Sequence, residues 1–181
     1  MYIDNMINLL NFQIERKDTI KTGRFLLYFA LIYIVFSGAF YFLFPLQKVE
    51  EFIAGITLSF LGMIGYSGKI VLQEPVLIQL ENGISIVISE LCTGAMELFI
   101  IASAILASHG IEWRKRVLGA IASIIALQAF NFLRIFATIF VILNTSSIET
   151  IEFTHNILFR VFLFIVVAGS YIVWFHWAVR K

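Results

Sequence analysis

Long apolar stretches constrain this chain more than any other feature of its sequence. Four of them predict membrane-spanning helices, over residues 25–44, 94–109, 117–143 and 156–179. A bilayer core of about 30 Å is crossed by roughly 20 apolar residues in a helix. Helix is required there because lipid offers the backbone no hydrogen-bond partners.

The composition agrees with a chain that lies in lipid. Of the 181 residues, 60% are hydrophobic, and the mean hydropathy is +0.93. A soluble domain is usually about 45–50% apolar, and a small domain has too much surface to hide such an excess in one core. The net charge of +1 gives no argument for nucleic acid. The single cysteine excludes an intrachain disulfide and a cysteine-based metal cluster, and we expect no metal and no cofactor.

The segment between the first two spans differs from the spans themselves. Residues 52–66 are apolar but short, and they contain three glycines. Residues 69–89 hold β-branched runs around Asn82-Gly83, a pair typical of hairpin turns. We therefore expect an interfacial or re-entrant helix over 52–66 and a short β-hairpin outside the membrane over 69–89. The predicted fold is an all-α integral membrane protein with about four transmembrane helices plus these two outer elements.

The distribution of charge predicts the orientation of the spans. Basic residues cluster before the first span, in the 114–116 loop and at the C-terminus, whereas acidic residues predominate in the other connections. The positive-inside rule then places both termini in the cytoplasm and the connections 45–91 and 144–155 outside the cell membrane. If 52–66 crossed the membrane, the basic loop would fall outside. Residues 1–24 are interpreted as a cytoplasmic amphipathic segment, and 25–181 as one membrane-embedded domain.

Polar residues on the third predicted span are candidates for function, because polar groups are costly in a bilayer. Gln128, Asn131, Arg134 and Thr138 follow one another in steps of three and four, which places them on one helix face. Arginine cannot shed its charge by deprotonation. Arg134 therefore needs an anion, either a carboxylate such as Glu97 or a substrate oxyanion. Asn131 and Gln128 either orient Arg134 or make helix–helix hydrogen bonds.

A cysteine and a histidine lie on the predicted outer side, at the ends of spans. Cys92 precedes the second span, where helix N–H groups and the positive end of the dipole favour an anion. Cys92 or Thr93 is the candidate N-cap, and Gly94 would allow close approach of a substrate backbone. His155, next to Asn156, is a candidate proton shuttle. Its alternative interpretation is a residue that faces the lipid headgroups.

These residues, in this order, carry a resemblance to a known family. Cys92-Thr93-Gly94, then Asn131-x-x-Arg134, then a histidine before the last span resemble the exosortase/archaeosortase family of membrane cysteine transpeptidases. The resemblance covers roughly residues 50–180. It implies an active site of Cys92, Arg134 and His155, supported by Asn131, Gln128, Asn156, Glu97 and Gly94.

The resemblance also implies a substrate. Such enzymes process exported proteins whose C-terminal sorting signal consists of a short motif, a transmembrane helix and a basic cluster. They pass the acyl group to an acceptor, for which a lipid is the implied candidate. The expected partners are therefore the sorting signal, the acceptor and membrane lipids.

A non-enzymatic protein is the alternative that the residues leave open. This protein would be a small membrane transporter or an assembly scaffold, in which the polar stripe of the third span lines a solute path and Arg134 binds an anion. Four spans without an internal repeat are few for a transporter, since many transporters are built from repeated units and contain broken helices. The sequence therefore favours the enzyme.

Overall fold

The computed structural model describes the backbone of residues 2–145 and 159–180 and the side chains of 19–145 and 161–180. The described chain is mostly helical. Its helices are α1 (Tyr2–Leu43), α2 (Leu46–Met63), α3 (Glu90–Thr93), α4 (Ala95–Ala107), α5 (Trp113–Asn144) and α6 (Phe159–Val179). Its strands are β1 (Gly68–Val71), β2 (Val76–Leu80) and β3 (Ser85–Ile88).

The first helix is longer than the sequence predicted. The amphipathic segment 1–24 and the first span are one continuous helix of 42 residues, α1. No proline or glycine pair interrupts the junction near Arg24, so the helical hydrogen bonds continue across the change in hydropathy. The helix ends just before Pro45, which is the N-cap of α2.

Within the described part of the chain, three helices are long and apolar enough to cross a bilayer: residues Thr19–Leu43, Trp113–Asn144 and Val161–Val179. The second predicted span, 94–109, is shorter than expected. Helix α4 has 13 residues, or about 20 Å of helix. It is short because Gly94, in the left-handed conformation, separates it from the single turn of α3. Three of the four predicted spans therefore correspond to helices that are long and apolar enough to cross a bilayer.

Helix α2 corresponds to the predicted interfacial or re-entrant helix, but it begins at Leu46 rather than at residue 52, and it ends at Met63. One face of α2 is buried, and its residues follow a helical spacing: Glu50, Ile53, Ala54, Thr57 and Leu61. This face packs against the strands and α3. Helix α2 therefore covers the segment that leads to Cys92.

The strands form a three-stranded antiparallel sheet in the order β1-β2-β3, where the sequence predicted a single hairpin. The turn at Asn82-Gly83 joins β2 to β3, with Gly83 at a φ of 87° and the Leu80 N–H bonded to the Ile84 carbonyl at 2.9 Å. The missed element is β1. A two-stranded hairpin alone is marginally stable, and β1 completes a sheet that α2 can cover.

The described residues form two apolar cores at opposite ends of the molecule. The outer core joins α2, the sheet, Cys92 and the outer half of α5, where Ile135 and Ile139 contribute. We call α2, the sheet and α3 the cap. The inner core joins α4, α5 and α6 through Ile101, Ile105, Ala120, Leu127, Trp174 and Ala178. Helix α4 contacts α1, α5 and α6 and so lies at the centre of the bundle.

Candidate active site

Cys92 lies in the single helical turn that connects the sheet to the bundle. Strand β3 ends at Ile88, Ser89 is extended with a φ of −102°, and the Cys92 N–H then donates to the Ser89 carbonyl at 2.8 Å. The turn buries the thiol, because Cys92 belongs to the outer core and is 8% exposed. The Ser89 Oγ lies 4.0 Å from the Cys92 Sγ, within hydrogen-bond distance for sulfur. The chain fold therefore holds the thiol at the junction of cap and bundle.

Gly94 follows the turn and is required by its surroundings. Its φ is +71°, a conformation that other residues rarely adopt. A Cβ atom at this position would lie 3.0 Å from Asn131 Nδ2 and 3.1 Å from Asn131 Cγ. The close approach that we expected for a substrate backbone is therefore made by Asn131.

The start of α4 is capped from within the same loop. Gly94 occupies the N-cap position, rather than Cys92 or Thr93 as the sequence suggested. The Thr93 hydroxyl nevertheless contributes, because it accepts a hydrogen bond from the Ala95 N–H at 3.2 Å and donates to the Glu90 carbonyl at 2.7 Å. Thr93 thus ties the end of α3 to the start of α4.

Two buried side chains of α5 hold the cysteine turn from the opposite side. Asn131 donates from Nδ2 to the Cys92 carbonyl at 2.8 Å, and Arg134 donates from a terminal guanidinium nitrogen to the Leu91 carbonyl at 2.7 Å. They are 2% and 7% exposed. The two accepting carbonyls are consecutive, so the helical spacing of Asn131 and Arg134 matches the spacing of the turn. The predicted polar face of α5 is therefore the face that meets Cys92.

The other polar residues of that face have different roles. Within the described side chains Arg134 forms no ion pair with Glu97, which is half-buried, so the carboxylate partner is replaced by a backbone carbonyl. Gln128 does not contact Arg134 by a hydrogen bond, and its Oε1 is buried without a partner in the described structure, as is Asn131 Oδ1. Thr138 donates back to the Arg134 carbonyl in its own helix.

Two of the three histidines, His109 and His176, lie within the described residues. His155 and Asn156 lie outside the described residues. His109 lies in the α4–α5 loop, where its Nδ1 is 2.8 Å from the Ala107 carbonyl and its ring packs on Tyr28. His176 is in the last turn of α6. His109 and His176 are therefore at the end of the bundle that lies away from Cys92.

Two acidic residues near the cysteine turn have contacts that the sequence did not indicate. The Glu90 carboxylate accepts a hydrogen bond from the Tyr41 hydroxyl near the end of α1. Glu50 of α2 is buried, and its carboxylate accepts from the Val76 N–H at 3.4 Å. In the sequence Tyr41 is one of several aromatic residues at the end of an apolar run. Only its hydroxyl group distinguishes it from the phenylalanines beside it. No group of three or more metal-binding side chains occurs among the described residues.

This arrangement can support nucleophilic chemistry. The turn that carries the Cys92 thiol is bonded by the Arg134 guanidinium and the Asn131 carboxamide. The low dielectric of a buried site strengthens each hydrogen bond to a developing negative charge. Arg134 has five N–H donors. One of them is used on Leu91 in the described structure, and the others can serve a ligand oxygen beside Cys92.

Comparison with known proteins gives one match. The family model described as transmembrane exosortase (Exosortase_EpsH) matches residues 16–176, which is nearly the whole chain. No curated protein and no solved structure matches.

Proposed function

The chain belongs to the transmembrane exosortase family, and from this premise we propose that it is a membrane-embedded cysteine peptidase and transpeptidase. It cleaves the C-terminal sorting signal of exported proteins and transfers the new acyl group to an acceptor, for which a lipid is the proposed class. Family membership indicates a membrane transpeptidase in general terms. The observation that carries the specific proposal is the double hydrogen bond of Asn131 and Arg134 to the turn that contains Cys92.

The first half of the proposed reaction forms a thioester. His155 takes the proton of the Cys92 thiol, and the sulfur attacks the scissile carbonyl carbon. The carbonyl oxygen becomes an oxyanion, which receives hydrogen bonds from Arg134. When the C–N bond breaks, His155 returns the proton to the leaving amine, and the substrate remains bound to Cys92 as a thioester.

The second half releases the product. An acceptor hydroxyl or amine gives its proton to His155 and attacks the thioester carbonyl. The C–S bond then breaks, and Cys92 leaves as the thiolate and is protonated by His155. Asn131 supports both halves by holding the Cys92 carbonyl, and Gly94 supports them by leaving room for Asn131. Glu97, Gln128 and Asn156 are proposed as supporting residues without a specific step.

The proposed depth of the site suits a substrate that is itself a membrane helix. Arg116 bonds the Leu106 carbonyl at the inner end of the bundle. Asn131 lies about 22 Å further along α5. With the inner end in the cytoplasm, Cys92 lies in the outer half of a bilayer core of about 30 Å. The apolar segment of the substrate would then remain in the bilayer while its cleavage motif reaches the thiol.

Intact-mass analysis of a co-expressed exported protein tests the proposal. The protein should carry a C-terminal motif, an apolar helix and a basic tail, and it should be expressed with the wild type, with Cys92→Ala or with His155→Ala. We expect loss of the tail with the wild type alone, and any added mass identifies the acceptor. Cys92→Ala should still bind the substrate. Turnover by that variant would exclude the covalent mechanism.

A further inference from the structure

Strand β3 leads directly into the cysteine turn and forms an edge of the sheet. The strand order is β1-β2-β3, so β2 is paired on both sides, while β3 is paired on one side among the described strands. An edge strand presents a row of unpaired N–H and C=O groups to which another extended chain can bond. At the end of β3, Ser89 is one turn from the nucleophile and its Oγ is 4.0 Å from Cys92 Sγ.

The register shows which backbone groups of β3 face the open edge. Leu80 donates to Ile84 at 2.9 Å, and the pairs Ile78–Ile86 and Val76–Ile88 follow at steps of two. Hydrogen-bonded and non-hydrogen-bonded pairs alternate in an antiparallel ladder. The N–H and C=O groups of Ser85 and Val87 therefore point away from β2. Their side chains lie on the exposed face of the sheet, and Val87 is 52% exposed.

The two edges of the sheet differ in their protection against strand addition. Natural edge strands are commonly blocked by lysine, proline or a bulge. Strand β1 carries the exposed Lys69. The stretch 83–89, Gly-Ile-Ser-Ile-Val-Ile-Ser, has neither a charge nor a proline. The open edge is thus the one beside the nucleophile, and its residues have a high preference for β structure.

We propose that the edge of β3 is the substrate-binding strand, which pairs with the extended cleavage segment of the exported protein. This inference rests on the proposed function and adds to it the mode of recognition. Main-chain hydrogen bonds to Ser85 and Val87 hold the segment and set its register. A paired chain lies about 4.8 Å from β3. The paired segment can then extend past Ser89, which brings its scissile carbonyl to the Cys92 thiol.

Site-directed cross-linking tests the pairing, because Cys92 is the only native cysteine. In a Cys92→Ala background, one cysteine is introduced into the strand by Val87→Cys or Ser85→Cys. A second cysteine is introduced into the co-expressed substrate, at one position of the cleavage segment at a time. Paired strands bring opposite Cβ atoms to about 5 Å. We expect disulfides at Val87→Cys with one substrate position and at Ser85→Cys with a position two residues away. Lys69→Cys, exposed on the other edge strand, is the matched control and should not cross-link.

A proline variant tests the same pairing during turnover. Val87→Pro removes an N–H group that points away from β2, so the ladder within the sheet is kept. It should lower kcat/KM by roughly tenfold or more, mainly through KM, and this loss should exceed the loss caused by Val87→Ala, which keeps the N–H group. An unchanged midpoint of unfolding shows that Val87→Pro is folded.

The outcomes separate this inference from the proposed function. If the wild type does not process the substrate, the proposed function fails and the inference fails with it. If the wild type processes it, three results overturn the inference alone. These are no β3 cross-link, equal cross-linking at Lys69→Cys, and a disulfide between two copies of the Val87→Cys chain in place of one with the substrate.

Discussion

The cap and the inner end of the bundle use similar interactions for different purposes. At the inner end Arg116 donates to the Leu106 carbonyl at 2.9 Å, and Lys115 donates to the Ala178 carbonyl at 2.9 Å. Both carbonyls belong to the last turns of helices, where the C=O groups have no N–H donor within their own helix. Beside the cap Arg134 also donates to a backbone carbonyl, but that carbonyl lies in the turn of the only thiol.

The two ends differ in their apolar packing as well. The cap buries a helix face against a sheet, as a soluble domain does. The inner core packs helix on helix, with Gly119 so close to Trp174 that a Cβ there would lie 1.9 Å from the indole ring. Close approach over small residues is typical of helices in lipid. The inner end is therefore held by helix–helix packing, whereas the cap end holds the loop of Cys92, the proposed nucleophile.

The largest expected difference between the two ends concerns their arginines. Lysine keeps the positive charge but loses the planar set of donors. Arg134→Lys should lower kcat by roughly 10²-fold, because donors aimed at a developing oxyanion are lost. Arg116→Lys, which makes the matched contact at the inner end, should leave kcat within about twofold. Single-turnover kinetics with saturating substrate measures both. Equal losses would show that the two contacts are only structural.

Two glycines with a positive φ, one in each part of the molecule, allow a matched comparison of alanine substitutions. Gly94 and Gly110 have φ values of +71° and +80°, but only Gly94 has a neighbour, Asn131, within 4 Å of an added Cβ. Each alanine substitution should cost about 1–2 kcal/mol through its positive φ. Gly94→Ala should in addition displace Asn131 and reduce turnover roughly tenfold, with turnover kept in Gly110→Ala. Comparable activity of the two variants at matched stability would contradict a positioning role of Asn131.

The stabilities contributed by the two cores can be compared at two fully buried isoleucines. Ile78 in β2 and Ile105 in α4 are each 0% exposed. Ile78→Ala should cost about 2–5 kcal/mol of unfolding free energy, the usual value for a core that unfolds into water. Ile105→Ala should cost about half as much, because lipid is as apolar as the interior. Reversible unfolding in mixed micelles gives both values. A larger cost at Ile105 would place the cap, rather than the bundle, in lipid.

The smallest expected effect is at the contact between α1 and the cap. Tyr41→Phe removes the hydrogen bond to Glu90 and should cost about 0.5–1.5 kcal/mol of stability, with a change in turnover of roughly threefold or less. Tyr33→Phe removes a hydroxyl of the same helix that has no hydrogen bond among the described residues, and it serves as the control. If the two variants unfold at the same denaturant concentration, the Glu90 contact contributes nothing to holding the cysteine turn.

Hydropathy and spacing predicted the parts of this molecule that depend on local sequence. The long apolar runs located α1, α5 and α6, and the steps of three and four located the polar face of α5. The continuous α1 was missed because a helix can pass through a change in hydropathy. Strand β1 was missed because its pairing is decided by the sheet that it joins.

The contacts within the site could not be read from spacing alone. The sequence predicted that Asn131 and Arg134 share a face, but not that they would bond the Cys92 and Leu91 carbonyls, since the choice of acceptor depends on how α3 and α5 meet. The need for glycine at position 94 likewise arises from Asn131, 37 residues away in the chain. The roles of His155 and Asn156 remain predictions of the sequence.

The central claim, that Cys92 forms a covalent intermediate in the turn held by α5, is tested most directly by trapping that intermediate. The wild type and Cys92→Ala would be quenched with acid during turnover of the exported protein, and their intact masses measured before and after treatment with neutral hydroxylamine. We predict that the wild type gains the mass of the substrate up to its cleavage site, that hydroxylamine removes this mass because it is a thioester, and that Cys92→Ala gains none. Cleavage that proceeds in Cys92→Ala, or an adduct on the wild type that lies on another residue, would contradict the account.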